Sequence, residues 1–313
     1  MAARPRLNLI VTCAERKVNE PEPNLMLGRL AEAKPRTRAR RWIRRLQAGV
    51  CARVLARDLY KGNHWHVVRS IIDGASSKID VRVWVASAGY GLISVDASIR
   101  PYAATFSPRS SDSVGGSLEC REWWETLASW RGPGKGPRSL RTLAKRDRKI
   151  PMLIVASGTY VNAMANDIAA AGKILTAKRL AVISAGVHSI GALEPYVVPV
   201  DSRLQKLVKG QMQSLNVRIA HRVLTGRIRS WRDLSRLRAN LAARMNEFQP
   251  AHRKQRRKAL DSRIVAFIRK ERSKNSKVGH SVLLRRFRRA GFACEQERFH
   301  SLFQRAARMR QRS

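Results

Sequence analysis

Apolar residues fall along this chain in short β-branched runs, separated by longer stretches with helical spacing. "LNLIV" (7–11), "KIDVRVWVAS" (78–87), "PMLIVASGTY" (151–160) and "RLAVISAG" (179–186) each read as a buried strand that ends in small residues. Between them, "TRARRWIRRLQAGVCARVLARDLY" (37–60), "LECREWWETLASW" (118–130) and "YVNAMANDIAAAGKIL" (160–175) repeat apolar positions at helical intervals. Apolar strands alternating with helices predict an α/β fold, a mostly parallel four-stranded sheet covered by helices. In such sheets a ligand sits at the carboxyl ends of the strands, here 12–17, 87–91, 157–160 and 184–188.

After the fourth strand the pattern is helical. Residues 202–250 are expected to lean on the sheet, and "QPAHRKQRRK" (249–258) marks a basic boundary. Three helices are then predicted, over 261–274, 279–291 and 294–312, with "AGFA" as the turn of a helix-turn-helix-like module. The division is a catalytic α/β domain 1–200, a helical extension and basic linker 201–255, and a helical nucleic-acid-binding module 256–313. "WRGPGKGPRSLRTLAKRDRK" (130–149) reads as a Gly/Pro-rich basic loop and lacks the spacing of a P-loop.

Charge narrows the partner. Among 313 residues, 63 Lys and Arg face 22 Asp and Glu, a formal net charge of +41. Residues 201–313 carry 31 of the cations against 7 acids. Such a field attracts polyanions, and double-stranded DNA is the expected partner, with no membrane and no obligatory protein partner. Lys135, Arg138, Arg285, Arg286, Arg288, Arg289 and Arg298 are the predicted phosphate contacts. Four cysteines without a CxxC pair suit a reducing, cytoplasmic setting and indicate neither zinc finger nor disulfide framework. The apolar run near the N-terminus is too short for a signal peptide. His64 and His66 flank Trp65, yet no third ligand stands at suitable spacing, so no metal site is expected.

The chemistry candidates gather after the strands. In "SAGYGLISVDASIRPYAATF" (87–106), Gly89 and Gly91 allow a tight turn, Tyr90 offers a ring for stacking, and Ser87 and Tyr102 offer hydroxyls. Asp96 is nearly alone among apolar neighbours, which would raise its pKa and suit it to activate water; a turn-capping role is equally open. Cys13, Ser157, Gly158 and Tyr160 complete the expected base pocket, and His188 is placed to steady a departing base. Trp124 would serve either core or wedge.

The run Ser87, Gly89, Tyr90, Gly91, Leu92, Asp96, Ile99, Pro101, Tyr102 resembles the signature of the YaaA-like proteins and of small domains associated with archaeosine synthase and 7-deazaguanine modification. "VTCAERK" and "DLYKGNHW" are similar to the leading elements of the same group. The resemblance implies a fold akin to the uracil-DNA glycosylase superfamily and work on nucleic-acid bases, including phage-inhibiting glycosylases that remove modified bases. The expectation is a DNA glycosylase-like hydrolase that flips and excises a nucleobase, needs no cofactor, and uses Asp96 and His188 as catalytic residues. A base-exchange or base-modifying enzyme, and a non-enzymatic DNA-binding protein, are the alternatives.

Overall fold

The computed structural model describes residues 4–75, 79–187, 191–225, 233–249, 256–275 and 278–308. Six strands form its central sheet: β1 Arg6–Thr12, β2 Asp80–Ser87, β3 Gly91–Ser94, β4 Met152–Val155, β5 Leu180–Ala185 and β6 Val197–Val200. Their order is β3-β2-β1-β4-β5-β6, parallel throughout except for the antiparallel β2–β3 hairpin. Leu7, Leu9, Ile10 and Val11 of β1 and all four residues of β4 are buried, as central strands covered on both faces require.

The sequence predicts four of these strands and misses two. β3 is the four-residue return limb of a hairpin, too short to show alternation. β6 reads "VVPV", and Pro199 argues against a central strand; β6 lies at the sheet edge, where proline is tolerated.

The covering helices in this unit include α1 Pro35–Ala48, α2 Asn63–Ala75, α3 Ser117–Ser129, α4 Leu140–Arg146, α5 Gly158–Ala163, α6 Ala165–Arg179, α7 Leu215–Leu224 and α8 Leu234–Asn246. α1 shows how an arginine-rich segment still folds inward: Ala39, Trp42 and Leu46, spaced three and four apart, are buried while most of its arginines face outward. α4 corrects the reading of 130–149 as loop throughout. Ser139 Oγ accepts the Thr142 N–H at 3.0 Å, Thr142 Oγ1 accepts the Ser139 N–H at 3.1 Å, and Leu140, Leu143 and Ala144 are buried.

The chain divides into two compact units, 1–250 and 251–313. Leu215, Val217, Ile219 and Val223 of α7 and Leu234, Leu237 and Leu241 of α8 belong to the core of the first unit. α7 and α8 therefore belong to the α/β body and not to a separate extension. In the second unit, α9 Asp261–Lys274, α10 His280–Arg289 and α11 Gln296–Arg308 enclose a separate core of Ile264, Ile268, Leu283, Phe287, Phe299 and Leu302. A two-residue parallel pairing of 257–258 with 292–293 ties the start of this unit to the end of α10. Among the described residues, no helix is long and apolar enough to cross a membrane.

Candidate functional site

The chain changes direction across the sheet at β1 and β4: β2 is added on one side of β1 and β4 on the other. In open α/β sheets the crevice beyond the carboxyl ends of two such strands is the preferred ligand position. Cys13 leaves β1 there, and its Sγ lies 3.0 Å from the hydroxyl of Tyr160 on α5, which follows β4.

Beside this pair stands a chain of hydroxyls. Ser87 Oγ, at the end of β2, accepts the N–H groups of Gly89 (3.2 Å) and Tyr90 (3.0 Å). Both lone pairs are thereby used, so its proton points to the Tyr102 oxygen at 2.6 Å, whose own proton points on to Tyr60 at 3.0 Å. Burial holds the phenols of Tyr60, Tyr102 and Tyr160 well above the ordinary tyrosine range, and the nearby Cys13 adds to the effect, so all three stay protonated donors.

Lys17 closes the cluster. Its Nζ sits 4.4 Å from the Tyr102 ring centre and 5.9 Å from that of Tyr60, and donates to the Ala14 (3.2 Å) and Glu15 (3.1 Å) carbonyls. Burial lowers its pKa against the opposing pull of Cys13, Glu15 and Asp112, giving it a larger share of free amine than an exposed lysine has. Phe106 meets the Tyr160 ring edge-on at 4.9 Å, and Trp65 lies 4.7 Å from Tyr60 with its Nε1–H on the Thr12 carbonyl at 3.2 Å. The result is a buried aromatic cluster that carries a thiol and three phenols, with the half-buried Lys17 amine at its rim, groups able to move a proton or form a covalent bond.

Of the residues expected to line a base pocket, Cys13, Ser87, Tyr102 and Tyr160 are brought together in one buried cluster. Other expected residues are placed differently. Gly89 serves the protein's own packing: a Cβ there would stand 2.4 Å from ring carbons of Tyr102. Gly91 takes φ +72° to turn the chain into β3. Tyr90 is 3% exposed, packs at 5.2 Å against Tyr102, and accepts the Arg100 N–H at 3.1 Å; it is a wall behind Tyr102 and presents no open stacking face. Ser157 is exposed with its Oγ 2.9 Å from Thr159 Oγ1, and Gly158 opens α5.

Asp96 departs furthest from its expected setting. It lies on the turn after β3, with a side chain 56% exposed and ion-paired to Arg57, and its backbone N–H donates to Ser94 Oγ at 3.2 Å. The apolar residues around it in sequence point into the core, while the turn carries the carboxylate outward; it is not one of the cluster. His188 lies outside the described residues.

Among the predicted phosphate contacts, Lys135 is exposed on its loop. Arg138 is committed to the protein: its guanidinium donates to the carbonyls of Tyr90, Leu92 (2.7 Å) and Trp130 (3.1 Å), and burial lowers its pKa to about 10. Arg286 bonds Glu271 (2.7 Å), Arg288 the Cys294 carbonyl (2.8 Å), and Arg298 the Asp261 carboxylate (2.9 Å from Nε). Arg285 and Arg289 remain exposed on α10. Trp124 is core, with its Nε1–H on Asp167 at 3.0 Å.

Lys17 and Tyr60 are site residues that the sequence reading does not single out, although they lie within "VTCAERK" and "DLYKGNHW". A lysine five residues beyond the end of a buried strand was the available signal for the first. Among the described residues, no group of three His, Cys, Asp or Glu is placed to hold a metal ion. The chain matches no protein-family model, and comparison with curated proteins and with solved structures returns no similar protein.

Proposed function

We propose that the protein acts on the N-glycosidic bond of a nucleobase in DNA, receiving one extruded nucleotide beyond the carboxyl ends of β1 and β4, where Lys17 stands at the rim of the cluster of Cys13, Tyr60, Tyr102 and Tyr160. The observation that carries this reading is the Lys17 amine, desolvated and seated over the Tyr102 ring at the carboxyl edge of a parallel sheet, in a chain of net charge +41. Flipping a base costs a few kcal/mol, and stacking of about 1–3 kcal/mol per base together with phosphate contacts offsets it.

In this reading Lys17 is the nucleophile. Its lone pair forms a bond to the sugar C1′, the C1′–N bond breaks, and its electrons leave with the base. The proton lost by the amine balances the one gained by the base. Ring opening yields an imine, which water hydrolyses to an abasic sugar and the regenerated amine. Tyr160, held protonated by burial, would donate a hydrogen bond to the edge of the departing base. This assignment replaces Asp96, whose exposed pairing with Arg57 suits a turn residue. Arg285 and Arg289 on α10 would hold the duplex as part of a helix-turn-helix-like unit, and the substrates would be modified bases of invading phage DNA met in the cytoplasm.

The test is to incubate the protein with a panel of natural and modified phage DNAs, assay free base and alkali-labile sites, and add borohydride to trap the imine. The expected result is base release from at least one DNA and a borohydride-dependent protein–DNA adduct, both lost in Lys17→Met. Release that persists in Lys17→Met without an adduct would assign the attack to water. Release from none of the DNAs would sink the glycosylase reading.

A further inference from the structure

A second concave surface lies away from the cluster, between α2 and α7. It encloses about 640 Å³ and is lined by His66, Val67 and Ser70 of α2, Arg218, His221 and Arg222 of α7, and Val208 and Thr225 at its ends. That volume falls within the roughly 300–1,000 Å³ of ordinary ligand pockets. Two arginines, two imidazoles, a serine and a threonine line it, and no acid does.

The cations here are held ready for an anion. Arg218 is fixed from two sides, Nε on Ser214 Oγ at 3.0 Å and Nη2 on Asn63 Oδ1 at 2.8 Å, which orients its guanidinium and leaves Nη1 without a partner among the described residues. Arg222, one turn further on, is half-buried and has no hydrogen-bond or ion-pair partner among the described residues. A half-desolvated guanidinium without a counter-charge is costly unless a ligand supplies one. His66 is exposed into the groove, and burial beside Arg218 lowers the pKa of His221, consistent with an excess of positive charge at this spot. Where acids are available they are matched to arginines, as in Arg203–Asp201 at 2.8 Å and Arg286–Glu271 at 2.7 Å; here the cations line one concave surface with no acid among its lining residues.

We infer that the furrow between α2 and α7 is a phosphate-binding site that takes the sugar–phosphate backbone of a single nucleic-acid strand, with Arg218 and Arg222 as its principal contacts. Packed helices lie only about 8–10 Å apart between axes, so the furrow on their outer surface is one chain wide. Trp65 turns into the core, whereas the next residue along α2, His66, is exposed into the groove. The identity of the strand rests on the nucleic-acid reading given above; the anion preference rests on the groove alone.

The experiment measures equilibrium binding of a labelled single-stranded oligonucleotide against salt for the wild type, Arg222→Gln, Arg222→Lys and Arg179→Gln. Arg179 is an exposed cation immediately before β5 that does not line the groove, and controls for general charge. Arg222→Gln is expected to weaken binding about five- to tenfold and to reduce the slope of log K against log salt by roughly one. Arg222→Lys should recover most of the affinity, which separates lost charge from misfolding, and Arg179→Gln should change affinity less than twofold. Tight binding by the wild type with Arg222→Gln indistinguishable from it overturns the groove and leaves the nucleic-acid reading standing. If the wild type holds no oligonucleotide while inorganic phosphate shifts the imidazole resonances of His66 and His221, the nucleic-acid reading fails, and with it the assignment of a strand to this groove.

Discussion

His64, in the first turn of α2, has its Nε2 shut away from water: burial lowers its pKa to about 4, outweighing the backbone hydrogen bond to Thr12 that favours the cation. Its buried Nε2 has no hydrogen-bond partner, so protonation there would bury an N–H with no acceptor. The consequence for stability has a definite sign. The unfolded chain takes up this proton near pH 6.5, whereas the folded chain resists it down to about pH 4, so stability is lost as pH falls between those values. Thermal melts of the wild type should therefore show a falling Tm from pH 7 to 4.5, and His64→Gln should flatten that limb. A limb of equal slope in the variant would place the acid sensitivity on other groups. Individual side chains were the level at which sequence was least informative. Asp96 is conspicuous in the chain because its sequence neighbours are apolar, but those neighbours turn inward and leave the carboxylate with Arg57. Lys17 is unremarkable among 63 cations, and only the approach of Tyr102, 85 positions later, makes it special.

Elements were far more legible, because burial on both faces of a parallel sheet writes itself as uninterrupted β-branched runs. β1, β2, β4 and β5 follow from that signal, as do the three helices of the second unit from their apolar spacing. What periodicity could not supply was the role of irregular segments, and Arg138 is the instructive case. It lies in a basic, glycine-rich stretch and reads as a phosphate contact, yet its guanidinium bridges the β2–β3 hairpin to the end of α3 through three carbonyls. Ala88 and Gly89 in the same hairpin are bonded by the Nε1–H groups of Trp123 (2.7 Å) and Trp42 (2.8 Å), so that turn is fastened from several helices at once. Arg138→Gln leaves at least one buried carbonyl unpaired and is expected to cost about 2–3 kcal/mol. A urea titration should show the lowered midpoint with unchanged slope, while the salt dependence of DNA binding stays that of the wild type. A reduced salt slope at unaltered stability would instead return Arg138 to the DNA-contacting set.

At the scale of the whole molecule the dominant fact is charge that the fold cannot neutralise. Many of the 22 acids are already engaged, as in Glu247 with Arg244, Asp233 with Arg236, and Asp261 with Arg298. Exposed pairs of this kind contribute only about 0–1 kcal/mol each. The remaining cations repel one another across both units, a self-energy that opposes the compact state and is relieved by screening. Raising ionic strength from 0.01 to 0.1 M shortens the Debye length from about 30 Å to about 10 Å, which removes repulsion between distant arginines while leaving close pairs largely intact. Added salt should therefore stabilise this protein, by about 1 kcal/mol or more and hence by roughly 2–4 °C in Tm for a body of this size. A polyanion such as heparin should raise Tm further at the same ionic strength, because it binds the folded cationic surface as well as screening it. Calorimetry at 25 and 300 mM NaCl, with and without heparin, reads both effects. A Tm that falls with salt would mean that the ion pairs outweigh the repulsion, and that the excess charge is already compensated within the fold instead of being held in reserve for a polyanion.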